Sequence, residues 1–159
     1  MQSISKETIE IIHTFFNNLN EEQIKENLEI LIAKQPNLYE SVIDFFEDET
    51  NESKLGYINF MFCFSIRCYE YFYGELKVID DEIITNTVMK WNDFFKYSRK
   101  KLTPSHVINE FNRAIRQPEM YEYLNETILQ SNEVQNIYDQ EEIILFLTQY
   151  MIIFDIFND

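Results

Sequence analysis

The chain has 159 residues, of which 45% are hydrophobic and 16% aromatic, and its 28 acidic side chains outnumber the 13 basic ones for a formal net charge of −15. This length and apolar content suffice for one globular domain with a sizeable core, which excludes intrinsic disorder and a disulfide-dependent scaffold. Only 2 glycines and 3 prolines occur, too few for the glycine-rich loops of nucleotide-binding folds or the many turns of a β-sandwich.

Helical periodicity extends along most of the chain, because apolar residues recur every three or four positions. Together with capping residues and prolines, this pattern predicts about eight helices, at roughly 6–18, 20–35, 36–46, 55–73, Asp80 or Asp81 to Phe95, Thr103 to Ile115, 118–129 and 140–157. Ser5 is the predicted cap of the first helix, Asn20 with Gln23 forms a capping box for the second, and Gly74 ends the fourth. The acidic run 47–52 lacks apolar periodicity and is predicted to be a solvated loop.

Two short segments match each other at an offset of 82 residues. Residues 34–40 read Lys-Gln-Pro-Asn-Leu-Tyr-Glu and residues 116–122 read Arg-Gln-Pro-Glu-Met-Tyr-Glu. The match predicts two tandem four-helix units, 5–74 and 80–158, within a single all-α domain over 1–159, and the arrangement resembles compact α-α superhelical or HEAT-like bundles. Coincidence is the alternative, since proline is common at helix starts.

The cysteines and the N-terminal segment predict a cytoplasmic protein. On a helix, the spacing of Cys63 and Cys68 directs them about 140° apart, so we expect two reduced core residues rather than a disulfide or a metal site. Residues 1–7 show no secretory signal pattern. The most apolar window, 57–72, carries charges and is shorter than the ~20 residues that cross a bilayer.

Catalytic and metal-binding patterns are weak in this sequence. Glu10 and His13 have the Glu-x-x-His spacing of diiron bundles, but such sites need a second pair and further inward carboxylates, and His106 with Glu110 does not supply them. Abundant carboxylates are no evidence for acid–base chemistry. We therefore predict a non-enzymatic protein without a cofactor or a metal.

Charge is the feature with the most functional content. The segment between Lys34 and Lys54 contains no basic residue and carries the predicted partner-binding carboxylates Glu40, Asp44, Glu47, Asp48, Glu49 and Glu52. An array of this kind steers a basic protein at long range, whereas it repels nucleic acid and anionic membranes. The alternative is an acidic solvated face that keeps the domain soluble.

Tyrosines add a second candidate contact. Five consecutive helical residues, 69–73, include three tyrosines, and they cannot all face the core, so at least one ring is expected at the surface. We assign Tyr71 and Tyr73 to the partner-binding surface, because tyrosine is enriched at protein interfaces.

These features favour a small protein-interaction module that binds a basic partner. An inhibitor of the immunity or anti-defence type, directed at a nuclease or another nucleic-acid-handling enzyme, uses the acidity and the small size best. The alternative is a helical sensor or carrier that holds a small apolar ligand in an aromatic interior pocket, lined by Phe60, Phe64, Tyr69, Trp91, Phe94, Phe146 and Phe154.

Overall fold

A computed structural model describes the backbone of residues 3–101 and 113–157 and the side chains of 3–94 and 113–157. Within those ranges the regular structure is entirely α-helical, as the periodicity predicts. Its helices are α1 Lys6–Asn17, α2 Glu21–Lys34, α3 Pro36–Phe45, α4 Glu52–Tyr73, α5 Asp81–Lys101, α6 Pro118–Leu129 and α7 Ile137–Phe157. The helix predicted from Thr103 to Ile115 lies almost wholly outside the described residues.

Local capping fixes several helix ends where the sequence predicts them. The Ser5 side chain accepts a hydrogen bond from the Thr8 amide at 3.2 Å. Asn20 and Gln23 form the predicted capping box, with reciprocal bonds of 2.9 and 3.0 Å. Gly74 ends α4 with a φ of 84°, a conformation that glycine adopts without steric cost. Each polar cap stabilises its helix by about 0.5–2 kcal/mol.

Helix α4 begins earlier than the apolar pattern predicts. Its first residue is Glu52, and the Asn51 side chain accepts a hydrogen bond from the Lys54 amide at 3.2 Å. The loop is therefore 46–51, and Glu52, the last residue of the predicted run 47–52, belongs to the helix, since a polar cap extends the helix by one turn beyond its apolar residues.

Helices α4 and α7 form the centre of the molecule. Helix α4 packs against α1, α2 and α7, and α7 packs against α4, α5 and α6. Their rings meet directly: Tyr69 stacks on Phe154 with centroids 4.7 Å apart, and Phe62 meets Tyr150 edge to face at 5.7 Å. Burying a side chain of this size contributes about 1.5–3 kcal/mol, so the α4–α7 contact is a main source of stability.

Contacts between the two halves of the chain are extensive. Helix α1 packs on α6, α3 packs on α5, and α4 packs on α7. Buried residues of both halves, from Ile4 to Phe154, belong to one apolar cluster.

Two buried glutamines tie each half to the start of the other. Gln35 and Gln117 precede the prolines that begin α3 and α6, and both are at most 1% exposed. The Gln35 Oε1 atom accepts a hydrogen bond from the Ile79 amide at 3.2 Å, and the Gln117 Oε1 atom accepts one from the Ile4 amide at 2.7 Å. Ile79 and Ile4 each lie two residues before a helix, α5 and α1 respectively. The two bonds are therefore reciprocal across the halves.

Candidate partner-binding surface

The acidic residues of α3 and the loop after it lie at the protein surface. Glu40 and Asp44 stand one helical turn apart on α3, and Glu47 and Asp48 follow in the loop; all four are exposed. The structure thus places these four predicted residues on a continuous stretch of surface, with Asp44 next to the loop.

A groove between α3 and α5, which we call the α3–α5 groove, receives two of them. It has a volume of about 490 Å³ and is lined by Asn37, Glu40, Ser41, Asp44, Phe45, Asp81, Ile84, Thr85, Val88 and Met89. Asp81 is a third carboxylate at this groove, and sequence reasoning treated it only as a helix cap. Its acidity was visible in the sequence, but the packing of α3 on α5, which brings it there, was not.

Some polar side chains of the α3–α5 groove form hydrogen bonds within the fold, whereas its carboxylates form no ion pair with the described residues. Asn37 donates to the Ile79 carbonyl at 2.9 Å, and Ser41 accepts a hydrogen bond from the Tyr150 hydroxyl at 2.8 Å. The carboxylates of Glu40, Asp44 and Asp81 form no ion pair with the residues that the structure describes. These three groups are the ones available to a partner.

Apolar side chains line the same groove. Ile84 is buried, Phe45 and Val88 are half-buried, and Met89 is 58% exposed. A large exposed methionine in a concave site favours binding, because its flexible thioether adapts to irregular partner surfaces.

A second groove, the loop groove, adjoins the first and shares Asp44 and Phe45 with it. It measures about 280 Å³ and is lined by Asp44, Phe45, Phe46, Glu47, Asp48, Glu49 and Glu142. Among the described residues that line either groove there is no lysine or arginine. The two grooves thus form one acidic concave region with apolar residues at its base.

The carboxylate of Glu49 is held by the fold. The Lys54 ammonium, which is 5% exposed, pairs with Glu49, with Asp139 at 2.9 Å and with Glu142 at 3.0 Å. Burial by itself lowers the pKa of Lys54, but its hydrogen bonds to the three carboxylates outweigh burial and raise that pKa above its ordinary value. The hydrogen bond from Lys54, followed by that from the Asn51 amide, lowers the pKa of Glu49.

The remaining predicted residues do not join this region. Glu52 is exposed at the first position of α4 and lines neither groove; there it interacts favourably with the helix dipole. Tyr71 and Tyr73 are 57% and 37% exposed, which confirms that rings of the 69–73 segment reach the surface. They lie at the far end of α4, and 21 residues at a rise of 1.5 Å separate Glu52 from Tyr73 by about 30 Å.

Tyr73 also takes part in the interior. Its hydroxyl accepts a hydrogen bond from Gln117 at 3.2 Å, and its ring stacks on Tyr69 with centroids 5.9 Å apart. Neither Tyr71 nor Tyr73 lines the α3–α5 groove or the loop groove, so the predicted partner-binding residues do not form a single site.

The candidate metal-binding and nucleophilic residues lie in surroundings that are typical of structural residues. His13 is exposed and its Nδ1 atom is hydrogen-bonded to the Tyr123 hydroxyl. Cys63 and Cys68 are buried and free, as predicted. Burial raises the pKa of Cys63 to about 12 and also raises that of Cys68, so both thiols stay protonated near neutral pH. Among the described residues, no group of three or more His, Cys, Asp or Glu side chains has the geometry to hold a metal ion.

The aromatic residues assigned to an interior pocket are in two kinds of environment. Phe64, Tyr69, Phe146 and Phe154 are at most 1% exposed and pack against other rings, for example Phe146 on Tyr150 at 4.4 Å. Phe60 is half-buried and packs on Phe16 with centroids 5.4 Å apart. Trp91 is also buried and packs with half-buried Phe94 against Ile152, and both rings line a groove of about 270 Å³ together with Lys90, Arg113 and Ala114.

No helix in the described part of the chain has the length and apolarity needed to cross a membrane. No protein-family model matches the sequence, and neither the curated proteins nor the solved structures with which it was compared gave a match.

Proposed function

We propose that this chain is a non-enzymatic interaction module whose acidic concave region binds a basic protein. The observation that carries the proposal is the convergence of Glu40, Asp44 and Asp81 on one groove without a described lysine or arginine in its lining. Carboxylates from two separate helices share a concavity that also exposes apolar surface, and protein partners bind such mixed surfaces.

The partner class follows from the sign of the charge. A net charge of −15 repels phosphate backbones, so nucleic acid is a poor direct ligand. The same field attracts a protein whose own nucleic-acid site is basic, and raises its association rate. A small inhibitor of the immunity or anti-defence type, which blocks a nuclease or another nucleic-acid-handling enzyme, fits these properties.

The fold and location that accompany this proposal are also inferred. The reciprocal bonds of Gln35 and Gln117 support an internal duplication, with units 5–74 and 80–158 in a HEAT-like or other α-α superhelical arrangement. Two buried, unpaired cysteines support a reducing, cytoplasmic location.

A charge-reversal comparison tests the proposed function. The tagged chain is used to recover a basic protein from its host lysate at low and moderate salt, and the association rate of the purified pair is then measured. Changing Glu40, Asp44, Glu47 and Asp48 to lysine should slow association at least about tenfold and flatten its salt dependence. Glu49 is left unchanged, because its replacement would also disturb Lys54.

The matched control carries the same change in net charge elsewhere. Lysine replaces the exposed Glu26, Glu29, Glu122 and Glu126 on α2 and α6. We expect a smaller loss of rate, since only the net charge and not the acidic concave region changes. Equal slowing by both variants, or failure of the bound chain to inhibit the recovered enzyme on its nucleic-acid substrate, would contradict the proposal.

Binding of a small apolar ligand is the second candidate, and one observation favours it. Trp91 and Phe94 line a groove, although Trp91 is only 7% exposed and also packs against Ile152. Native mass spectrometry of the protein purified from its host tests this candidate. A bound small molecule that is lost in Trp91→Ala and retained in the Asp44→Lys variant would favour it over the acidic surface.

A further inference from the structure

We infer that the α3–α5 groove is the docking site for a basic amphipathic helix of the partner. The partner's apolar face would lie on Phe45, Val88 and Met89, and its lysines or arginines would pair with Glu40, Asp44 and Asp81. This inference deepens the proposed function and rests on it, because it names the part of the acidic region that binds and the structural element that it binds.

The dimensions of the groove suit a short helical segment. Its lining extends from Asn37 to Phe45 on α3 and from Asp81 to Met89 on α5. At 1.5 Å per residue these stretches are about 10–12 Å long, which equals two turns of a docked helix. A helix in a groove is read through anchors at i, i+3 or i+4 and i+7, and two turns provide that number of anchors.

The unpaired carboxylates determine the charge of the occupant. An apolar occupant that covered Glu40, Asp44 and Asp81 would remove water from these carboxylates without replacing its hydrogen bonds, which is unfavourable. A second copy of this chain carries the same net charge of −15 and is repelled from the groove. A partner segment with lysine or arginine beside its apolar face satisfies both the carboxylates and Met89.

The loop groove is the weaker docking site. Two of its carboxylates, Glu49 and Glu142, are already bound to Lys54. A basic partner that used them would have to compete with a nearly buried ammonium group. The α3–α5 groove has no such internal competitor among the described ion pairs.

The test uses a synthetic peptide of about 14 residues, long enough for four helical turns. Leucines occupy positions i, i+3, i+4 and i+7, and lysines flank them. A scrambled peptide of identical composition keeps the charge but has no apolar face. Binding is measured by fluorescence anisotropy at moderate salt, and we expect the patterned peptide to bind at least about tenfold more tightly than the scrambled one.

Two matched pairs of variants locate the binding. Met89→Gln and Glu40→Lys change the α3–α5 groove and not the loop groove, whereas Leu129→Gln and Glu126→Lys change α6. Met89 and Leu129 are comparably exposed, at 58% and 51%, and all four substitutions are at exposed positions, where we expect the fold to tolerate them. We expect each groove variant to weaken binding about fivefold to tenfold and each control to change it less than twofold.

The alternative outcomes distinguish this inference from the proposed function. Equal affinity for both peptides, no binding of either, or equal effects of groove and control variants would overturn the groove assignment. The proposed function would still stand if the recovered basic protein remained sensitive to Glu47→Lys and Asp48→Lys. Self-association of the chain that Met89→Gln abolishes would assign the groove to a second copy and also overturn the inference.

Discussion

The two proline-led junctions have the same geometry but different electrostatics. At both, a buried glutamine accepts the amide of an isoleucine from the other half. The Gln35 Nε2 group donates to the Lys77 backbone carbonyl at 2.8 Å. The corresponding group of Gln117 donates to the Asp155 carboxylate at 3.0 Å and to the Tyr73 hydroxyl at 3.2 Å. One sequence pattern thus supports a neutral junction near α5 and a carboxylate-bearing junction near α1.

The junction with Asp155 should be more sensitive to substitution of its glutamine. Loss of a hydrogen bond to a buried ionised group destabilises a protein more than loss of one to a neutral group. Asp155 is only 3% exposed, whereas Lys77 lies in an exposed part of its loop, where water can replace a lost donor. The comparison therefore predicts unequal effects from identical substitutions.

The largest expected effect is that of Gln117→Met, which keeps the side-chain volume and removes its hydrogen bonds. The Ile4 amide and the Asp155 carboxylate would lose a partner, so we expect the free energy of unfolding to fall by about 3–5 kcal/mol. Gln35→Met should cost only about 1–3 kcal/mol. Urea denaturation of both variants measures the difference.

Asp155→Asn in the Gln117→Met background is the control for the cause. If the carboxylate is responsible for the inequality, removing its charge brings the loss closer to that of Gln35→Met. Equal losses for the two single variants would show that Asp155 contributes nothing to the difference between the junctions.

Sequence reasoning succeeded where neighbouring residues in the sequence determine the backbone conformation. Pro36, Pro118 and Gly74 act on the adjacent backbone, and the helix boundaries at these residues are as predicted. The burial of Gln35 and Gln117 could not be predicted in this way, because their partners lie 44 and 113 residues away along the chain.

The candidate site was predicted in part for the same reason. Glu40 and Asp44 were placed on one face because they are one turn apart on a single helix. Asp81 was not included, and Glu49 was counted as a free carboxylate. Its partner Lys54 is near in sequence, but the nearly buried position of Lys54 depends on Asp139 and Glu142, which are 85 and 88 residues away. The separation of Tyr73 from Glu52 was also not predicted, because Glu52 was placed in the loop before the helix, whereas it is the first residue of α4.

A smaller loss of stability is expected from Lys54→Met. This variant tests whether an uncompensated charge also destabilises the protein at a site away from the two glutamine junctions. The substitution leaves Glu49, Asp139 and Glu142 facing one another without a cation. Their side chains are 21–43% exposed, so water and salt compensate in part, and we expect a loss of about 1–3 kcal/mol.

The salt dependence of the stability of Lys54→Met distinguishes repulsion among the three carboxylates from lost packing of the lysine side chain. Raising the ionic strength screens the three carboxylates and should recover part of the loss. Lys34→Met, which removes the half-exposed partner of Glu70, is the control and should cost less than about 1 kcal/mol. A Lys54→Met deficit that is unaffected by salt would attribute the loss to packing.

The smallest expected effects concern pH, and they have opposite signs at Asp155 and Glu49. Burial raises the pKa of Asp155 above 3.8 in the folded protein. The folded state therefore binds this proton more tightly than the unfolded state does. As a result, the contribution of Asp155 to stability is full below pH 3.8 and declines as pH rises through the folded pKa. The stability of Asp155→Asn relative to the original protein should therefore increase over that range.

The Lys54 hydrogen bond lowers the pKa of Glu49 below 4.5, so the contribution of Glu49 to stability is present above that value and is lost as pH falls through the folded pKa. Glu49→Gln should accordingly be less stable than the original protein near neutral pH and equally stable in acid. Urea titrations at a series of pH values measure both variants. A relative stability that changed with pH in the same direction for Asp155→Asn and Glu49→Gln would contradict the contrast between the buried and the paired carboxylate.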